Sequence, residues 1–313
     1  MKLDAYHFAV IGPGRLGSTL IAALDQAGLT VSAIGTHHED DAGLGGGRFG
    51  GGPPGGLEGA GPGGGAGPLY VRVADAALEA DAWWLTVPDD DIFAVAGQLA
   101  AACPGRRRPS CPPLAIHSSG AGSLRLLRPL QEAGVLTLCL HPLQTFSGDA
   151  RADALAGVAC AVTADDERVA AFGDEVAARL GMRPFRLADE SKPLYHLSAA
   201  VAANLLVALE SDAVRLMNEA TGRDDGLELL APLVSTATAN VVAKGPAAAL
   251  TGPVARGDTA TVRAHLRLLS RQPARVGDAY RALSLEALTL AAPRLDDETV
   301  RTLKTLLEEG EGR

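Results

Sequence analysis

The chain has 313 residues, 47% of them hydrophobic and 21% charged, and carries a formal net charge of −9. That length accommodates two domains with cores of their own. The acidic balance argues against a nucleic-acid or anionic-membrane partner, and no stretch has the ~18 uninterrupted apolar residues of a membrane span.

In chain order, Phe8-Ala9-Val10-Ile11 reads as a short buried strand that runs into Gly12-Pro13-Gly14-Arg15-Leu16-Gly17. A helix is expected over residues 15–27, with Leu16, Leu20, Ala23 and Leu24 on one face and Gly28 at its end. Gly-x-Gly-x-x-Gly alone is a weak signal, but between a strand and a helix it has the context that dinucleotide binding requires. Gly12 permits the turn, Gly14 admits a pyrophosphate and Gly17 lets helix and strand approach. The helix N–H groups and dipole then face the phosphates. The alternative is a glycine turn without a ligand.

A second strand is expected over residues 30–34. An acid at its end would accept the ribose 2′-hydroxyl of NAD, but the sequence there is Gly35-Thr36-His37-His38. Thr36 and His37 suit a 2′-phosphate, so the reading leans to NADP over NAD. Plain surface loop is the alternative for the histidines.

Fifteen of the 37 glycines fall between residues 43 and 67. Such a stretch buries too little apolar surface to offset its ordering entropy, so a flexible insertion is expected. Strands then follow at 70–73, 82–87, 114–117, 136–140, 158–162 and 183–187, with helices at 74–79, 89–102, from Ser123, and at 165–180. This alternation predicts an α/β fold, a doubly wound, mostly parallel sheet. Asp89-Asp90-Asp91 reads as an acidic helix start rather than a metal site. Beyond residue 188 only helices are expected, at 192–221, 227–244, 259–269, 273–291 and 296–308. The domains are therefore placed at 1–188 and 189–313, the second smaller and all-helical.

Cys103, Cys111, Cys139 and Cys160 show no CxxC spacing, and Met1-Lys2-Leu3-Asp4 is no signal-peptide start. These features suit reduced thiols in a cytoplasmic protein. No Cys/His cluster has metal-ligand spacing, so no metal is expected. Cys139 and Cys160 read as core residues.

Ligands of open α/β sheets sit outside the carboxyl ends of the strands. Besides the glycine loop, that places Thr86-Val87-Pro88-Asp89, His117-Ser118-Ser119-Gly120 and His141-Pro142-Leu143-Gln144 at the site. Val87, Pro88 and Ser118 are assigned to the cofactor; Ser118, Ser119, His141 and Gln144 to the substrate. Simple turn capping is the alternative for the two serines. In the first long helix Lys192 and His196 share a face, and Asn204 lies eight residues beyond His196, with small alanines between. His196 is the candidate proton donor and Asn204 the orienting residue; a buried helix with a satisfied His and Asn is the alternative. The apolar run at 197–209 reads as buried. Arg256, in a Gly-flanked loop before Asp258, is the candidate clamp for an anionic substrate, with a salt bridge as the alternative.

Residues 11–17, 86–92, 117–120, 141–146, 195–206 and 250–265 together resemble a bacterial family that joins a Rossmann-like NAD(P)-binding domain to a C-terminal domain of unknown function. The resemblance implies the wider 6-phosphogluconate-dehydrogenase-like group, similar in layout to pyrroline-5-carboxylate and ketopantoate reductases. The insertion at 43–67 departs from the pattern. β-Hydroxyacid dehydrogenases carry a catalytic Lys one turn before an Asn; here Ala200 precedes Asn204 by four, so that mechanism does not carry over.

The expectation is an oxidoreductase transferring a hydride to a C=O or C=N bond of a small, anionic metabolite, with a non-catalytic dinucleotide sensor as the alternative. A homodimer through the Ala-rich helical domain is also expected.

Overall fold

The structure, a computed structural model, describes residues 1–36, 68–105, 111–146, 148 and 151–309. The glycine-rich stretch at 43–67 and His37 lie outside the described residues.

The chain divides into two compact units, Met1–Asn204 and Leu205–Arg313. The division falls sixteen residues beyond the boundary the sequence suggested, because the helix starting at Lys192 belongs with the sheet.

The first unit is built on eight strands: β1 (Phe8–Ile11), β2 (Val31–Thr36), β3 (Leu69–Arg72), β4 (Ala82–Leu85), β5 (Leu114–His117), β6 (Leu136–Pro142), β7 (Ala159–Thr163) and β8 (Arg183–Arg186). Their order is β3-β2-β1-β4-β5-β6-β7-β8. Every pairing is parallel except β6 with β7. Strands β1, β4 and β5 are buried on both faces, which explains their unbroken apolar sequence. Alternation along them feeds two cores: Phe8, Val10, Trp84 and Ile116 point into one, Ala9, Ile11, Trp83 and Ala115 into the other. Each such fully buried side chain contributes roughly 1.5–3 kcal/mol.

The helices are α1 (Arg15–Gln26), α2 (Val73–Glu79), α3 (Asp89–Ala102), α4 (Arg128–Glu132) and α5 (Glu167–Arg179). The helix expected from Ser123 begins instead as a 3-10 turn, Leu124–Leu127, because the Ser123 hydroxyl caps it and Pro129 opens α4. The run expected as one helix from Lys192 to Thr221 breaks at Ala203 into α6 (Lys192–Ala202) and α7 (Asn204–Thr221).

In the second unit follow α8 (Gly226–Lys244), α9 (Pro246–Ala249), α10 (Thr259–Leu269), α11 (Ala274–Ala291) and α12 (Asp297–Glu309). Asp258 caps α10 by accepting from Thr261 N–H at 3.0 Å, as its position suggested. Val254, Val262, Leu266, Leu288, Leu303, Leu306 and Leu307 form its small core. The apolar run at 197–209 is exposed rather than buried: Leu197 is 57% exposed, Leu205 58% and Val207 71%. The stretch 189–221 and α8 are also long and apolar enough to cross a membrane, with mean hydropathies of 1.5 and 1.3.

Candidate active site

The glycine loop forms as its spacing requires. Gly12 adopts φ +92°, and Thr86 Oγ1 donates to Gly12 O at 2.6 Å, fastening the turn to the end of β4. A Cβ at Gly12 would lie 2.9 Å from Val87 Cγ1, and one at Gly17 would run into the Gly12 carbonyl. A Cβ at Gly14 would meet nothing within 4 Å, and no side chain caps α1. Among the described residues, then, no side chain covers the first-turn amides of α1 or the space over Gly14, which suits a pyrophosphate. Pro13 and Arg15 are exposed and Leu16 half-buried. The Arg15 stem runs past Gly148, whose Cβ would lie 3.6 Å from Cγ. Thr36 is the last residue of β2, nearly buried, and pairs in register with Arg72 of β3. Pro88 precedes α3 and Val87 packs beneath Gly12, so both shape the cradle wall.

The serines turn inward. Ser118 Oγ accepts from the buried Trp84 indole at 2.8 Å. Ser119 Oγ donates to Asp89 Oδ2 at 2.5 Å and accepts from Gly122 N–H at 2.7 Å. Both are buried. The two hydroxyls thus fasten the β5 turn to Trp84 of β4 and to Asp89 at the start of α3, the turn-fastening alternative for these serines. Gln144 is exposed, and its Oε1 accepts from Thr145 N–H at 2.9 Å. Asp89 starts α3 as expected and also clamps the β5 turn.

His141 does join a cluster. Its Nδ1 lies 2.6 Å from the Tyr195 hydroxyl, with the rings edge to face. The His196 ring stands 6.4 Å from that of His141. Between them passes Gly120: a Cβ there would lie 2.5 Å from His196 Nδ1 and 2.9 Å from His141 Nε2. Glycine lets the turn through without displacing either ring and leaves two imidazole nitrogens facing one point. Burial, then Lys192, then His196 push His141 down to about 4. Burial raises the Tyr195 phenol further above its ordinary value. A protonated phenol beside a neutral imidazole donates to Nδ1, which assigns the imidazole proton to Nε2. His117, beneath, accepts from Ser119 N–H at Nδ1 (3.2 Å) and leaves its buried Nε2 without a described partner. Burial first, then Lys192 and His141, push it down to about 3.

His196 is thus placed with His141, while Asn204 lies beyond a break in the helix. Ala203, at φ −121° and ψ −63°, interrupts the helix between them, so the 100° step does not carry across. Asn204 opens α7 and is exposed. Lys192 and His196, one turn apart on α6, differ in exposure: Lys192 is fully buried and His196 exposed. Arg256 is exposed on the loop before α10 in the second unit. Among the described residues no group of three or more His, Cys, Asp or Glu is arranged for a metal ion.

Sequence reasoning gave Tyr195, Gly120 and Lys192 no role. Tyr195 precedes His196 on one helix turn, and Gly120 ends the polar turn after β5, so both stood inside the quoted segments. A buried lysine has no sequence signature.

The family described as a Rossmann-like domain matches residues 68–142, and the domain of unknown function DUF2520 matches residues 158–287. The chain joins a Rossmann-like domain to a DUF2520 domain. The DUF2520 match begins beside β7 and ends within α11, so it takes in the last two strands and α5 as well as α6 to α10. No curated protein matches the chain by sequence. Among solved structures, a Bacteroides fragilis protein assigned as an NADP oxidoreductase is 21% identical over 92% of this chain and 100% of its own, with a TM-score of 0.69. Pyrroline carboxylate reductase from Plasmodium falciparum, with NADP bound, is 11% identical over 93% and 100%, with a TM-score of 0.54. An imine reductase variant from Myxococcus stipitatus, in complex with NAD+, is 17% identical over 97% and 99%, also at 0.54. At these identities the likeness shows the fold alone.

Proposed function

We propose that this protein is an NAD(P)-dependent oxidoreductase that transfers a hydride to a C=O or C=N bond of a small metabolite. The observation that carries the reading is that the uncapped glycine loop and the His141–Tyr195–His196 cluster both stand at carboxyl ends of strands in one unit. The solved structures with NADP or NAD+ bound share this fold. Gly12, Gly14, Gly17 and the first turn of α1 would hold the pyrophosphate. Thr36 suits NADP over NAD, since no carboxylate ends β2. A bound nicotinamide supplies the hydride. His141 Nε2–H donates a hydrogen bond to the heteroatom of the bond being reduced, and Tyr195 holds that tautomer. His196, exposed beside it, exchanges protons with solvent and delivers one to the same atom.

We further propose that a second copy of the chain covers α7 and α8. Nine large apolar side chains there are between 38% and 83% exposed. Their area is on the order of the ~800 Å² per partner that a standard interface buries. Charged residues Glu210, Asp212, Arg215 and Glu219 interrupt α7, which favours a protein partner over lipid. A reducing, cytoplasmic setting fits four cysteines without a disulfide.

The test is turnover of NADPH with a panel of small keto and imino acids, for the wild type, His196→Gln and Tyr195→Phe. The reading expects turnover by the wild type and its loss in both variants, with NADPH affinity retained. Binding without turnover across the panel would favour the sensor.

A further inference from the structure

One buried charge in the site has no role in the reaction just described. Lys192 opens α6 and is fully buried. Its Nζ donates to Ser119 O at 2.9 Å and to Cys139 Sγ at 3.0 Å, and it forms no ion pair with a described carboxylate. Burying a cation on uncharged acceptors is costly, and an apolar side chain of similar volume would avoid the cost. The contacts show what the cation accomplishes. Cys139 and His141 are two apart on β6 and so share a face. Lys192, Tyr195 and His196 lie within about one turn of α6. Lys192–Cys139 and Tyr195–His141 are therefore two successive rungs between one helix and one strand. The third contact, to the Ser119 carbonyl, fixes the turn that passes between the two imidazoles at Gly120.

We propose that Lys192 is a positioning residue: it registers α6 on β6 and, as a buried positive charge, keeps the His141 imidazole uncharged so that Nε2–H remains a donor beside His196. The purpose of this arrangement rests on the oxidoreductase reading; its geometry does not. The titratable and charged groups around His141 are His117 on β5, Cys139 on β6, and Lys192, Tyr195 and His196 on α6. Asp89 reaches the cluster through Ser119, and Asp189 stands just before α6. Lys192 is the first charged group to act on His141 after burial itself, and it acts on His117 in the same direction.

The experiment is an NMR titration of the His141 ring, with 15N shifts for its tautomer, in wild type, Lys192→Met, Lys192→Gln and Tyr195→Phe, each also titrated with NADPH. Wild-type His141 should stay neutral to about pH 4 with the proton on Nε2. Either Lys192 variant should raise the midpoint by ~1 unit or more, the scale of one close charge. Lys192→Gln keeps a hydrogen-bond donor for the Ser119 carbonyl and serves if Lys192→Met does not fold. Tyr195→Phe, which retains the cation, should leave the midpoint low. An unchanged midpoint in a folded Lys192 variant overturns the proposal, as does a return to the ordinary value in Tyr195→Phe alone. Should no form bind NADPH, the oxidoreductase reading falls while the Lys192 result stands on the titration.

Discussion

The two units distribute their apolar residues differently. In the sheet unit, β1, β4 and β5 are wholly buried and feed two cores. In the helical unit, α7 has no buried residue and α8 only Gly226, while a seven-residue core sits among the other elements. The sheet finishes its own interior, whereas α7 and α8 leave an apolar face for something else to cover, and in the sheet unit α6 is likewise exposed at Leu194, Leu197 and Val201. The site cluster belongs to the sheet unit, where a rigid sheet can hold an imidazole nitrogen to a few tenths of an ångström.

The contrast breaks most visibly under core truncation. Trp84→Ala should cost ~3–5 kcal/mol in urea unfolding, because it leaves a cavity and orphans Ser118 Oγ. Val242→Ala on α8, where the side chain is 83% exposed, should change monomer stability by less than ~0.5 kcal/mol. Comparable losses at both positions would mean that α8 is packed in the isolated chain.

Acid separates the units next. The folded sheet unit keeps His141 neutral to about 4 and His117 to about 3, whereas an unfolded chain protonates both below ~6.5. Folding therefore excludes protons in that window, and stability falls as pH drops from about 6.5 toward 4. His141 alone accounts for up to ~3 kcal/mol at ~1.4 kcal/mol per unit. Thermal midpoints of wild type and His141→Gln across this range should converge as pH falls; parallel curves would contradict the depressed imidazole.

Much of this was legible beforehand. The strand–glycine–helix opening reads from residues 8–17 because buried parallel strands are locally apolar and turn glycines are locally required. The Asp89 helix start and the Asp258 cap are also local. What escaped depends on neighbours distant in sequence. Ser119 sits 30 residues from Asp89 and 73 from Lys192, so its hydroxyl and carbonyl could not be known to be occupied. The break at Ala203 carries no glycine or proline to announce it. The exposed face of α7 reads as buried because composition reports how apolar a helix is, not what covers it.

Two smaller effects sharpen the comparison. Leu233→Asp on α8, with its side chain 66% exposed, should convert a dimer to a monomer in sedimentation while shifting the monomer's own stability little. A wild type that is monomeric at every concentration removes the second copy as the occupant, and partition into lipid vesicles would point to a membrane instead. Gly120→Ala should cost about 1 kcal/mol, since the clash is with movable imidazole ends. It should displace the His141 and His196 resonances together; movement of neither would mean the rings do not converge there.

The most direct measurement is a calorimetric titration of NADPH and NADH into the wild type and Gly14→Asp. A Cβ at Gly14 meets nothing, and an aspartate ahead of α1 is a favourable cap, so the variant should fold at least as stably. Its carboxylate would occupy the phosphate cradle. The account predicts that the wild type binds, with NADPH tighter than NADH, and that Gly14→Asp weakens binding at least ~100-fold, about 2.7 kcal/mol. Equal binding by the variant, or no binding of either dinucleotide by the wild type, would contradict it.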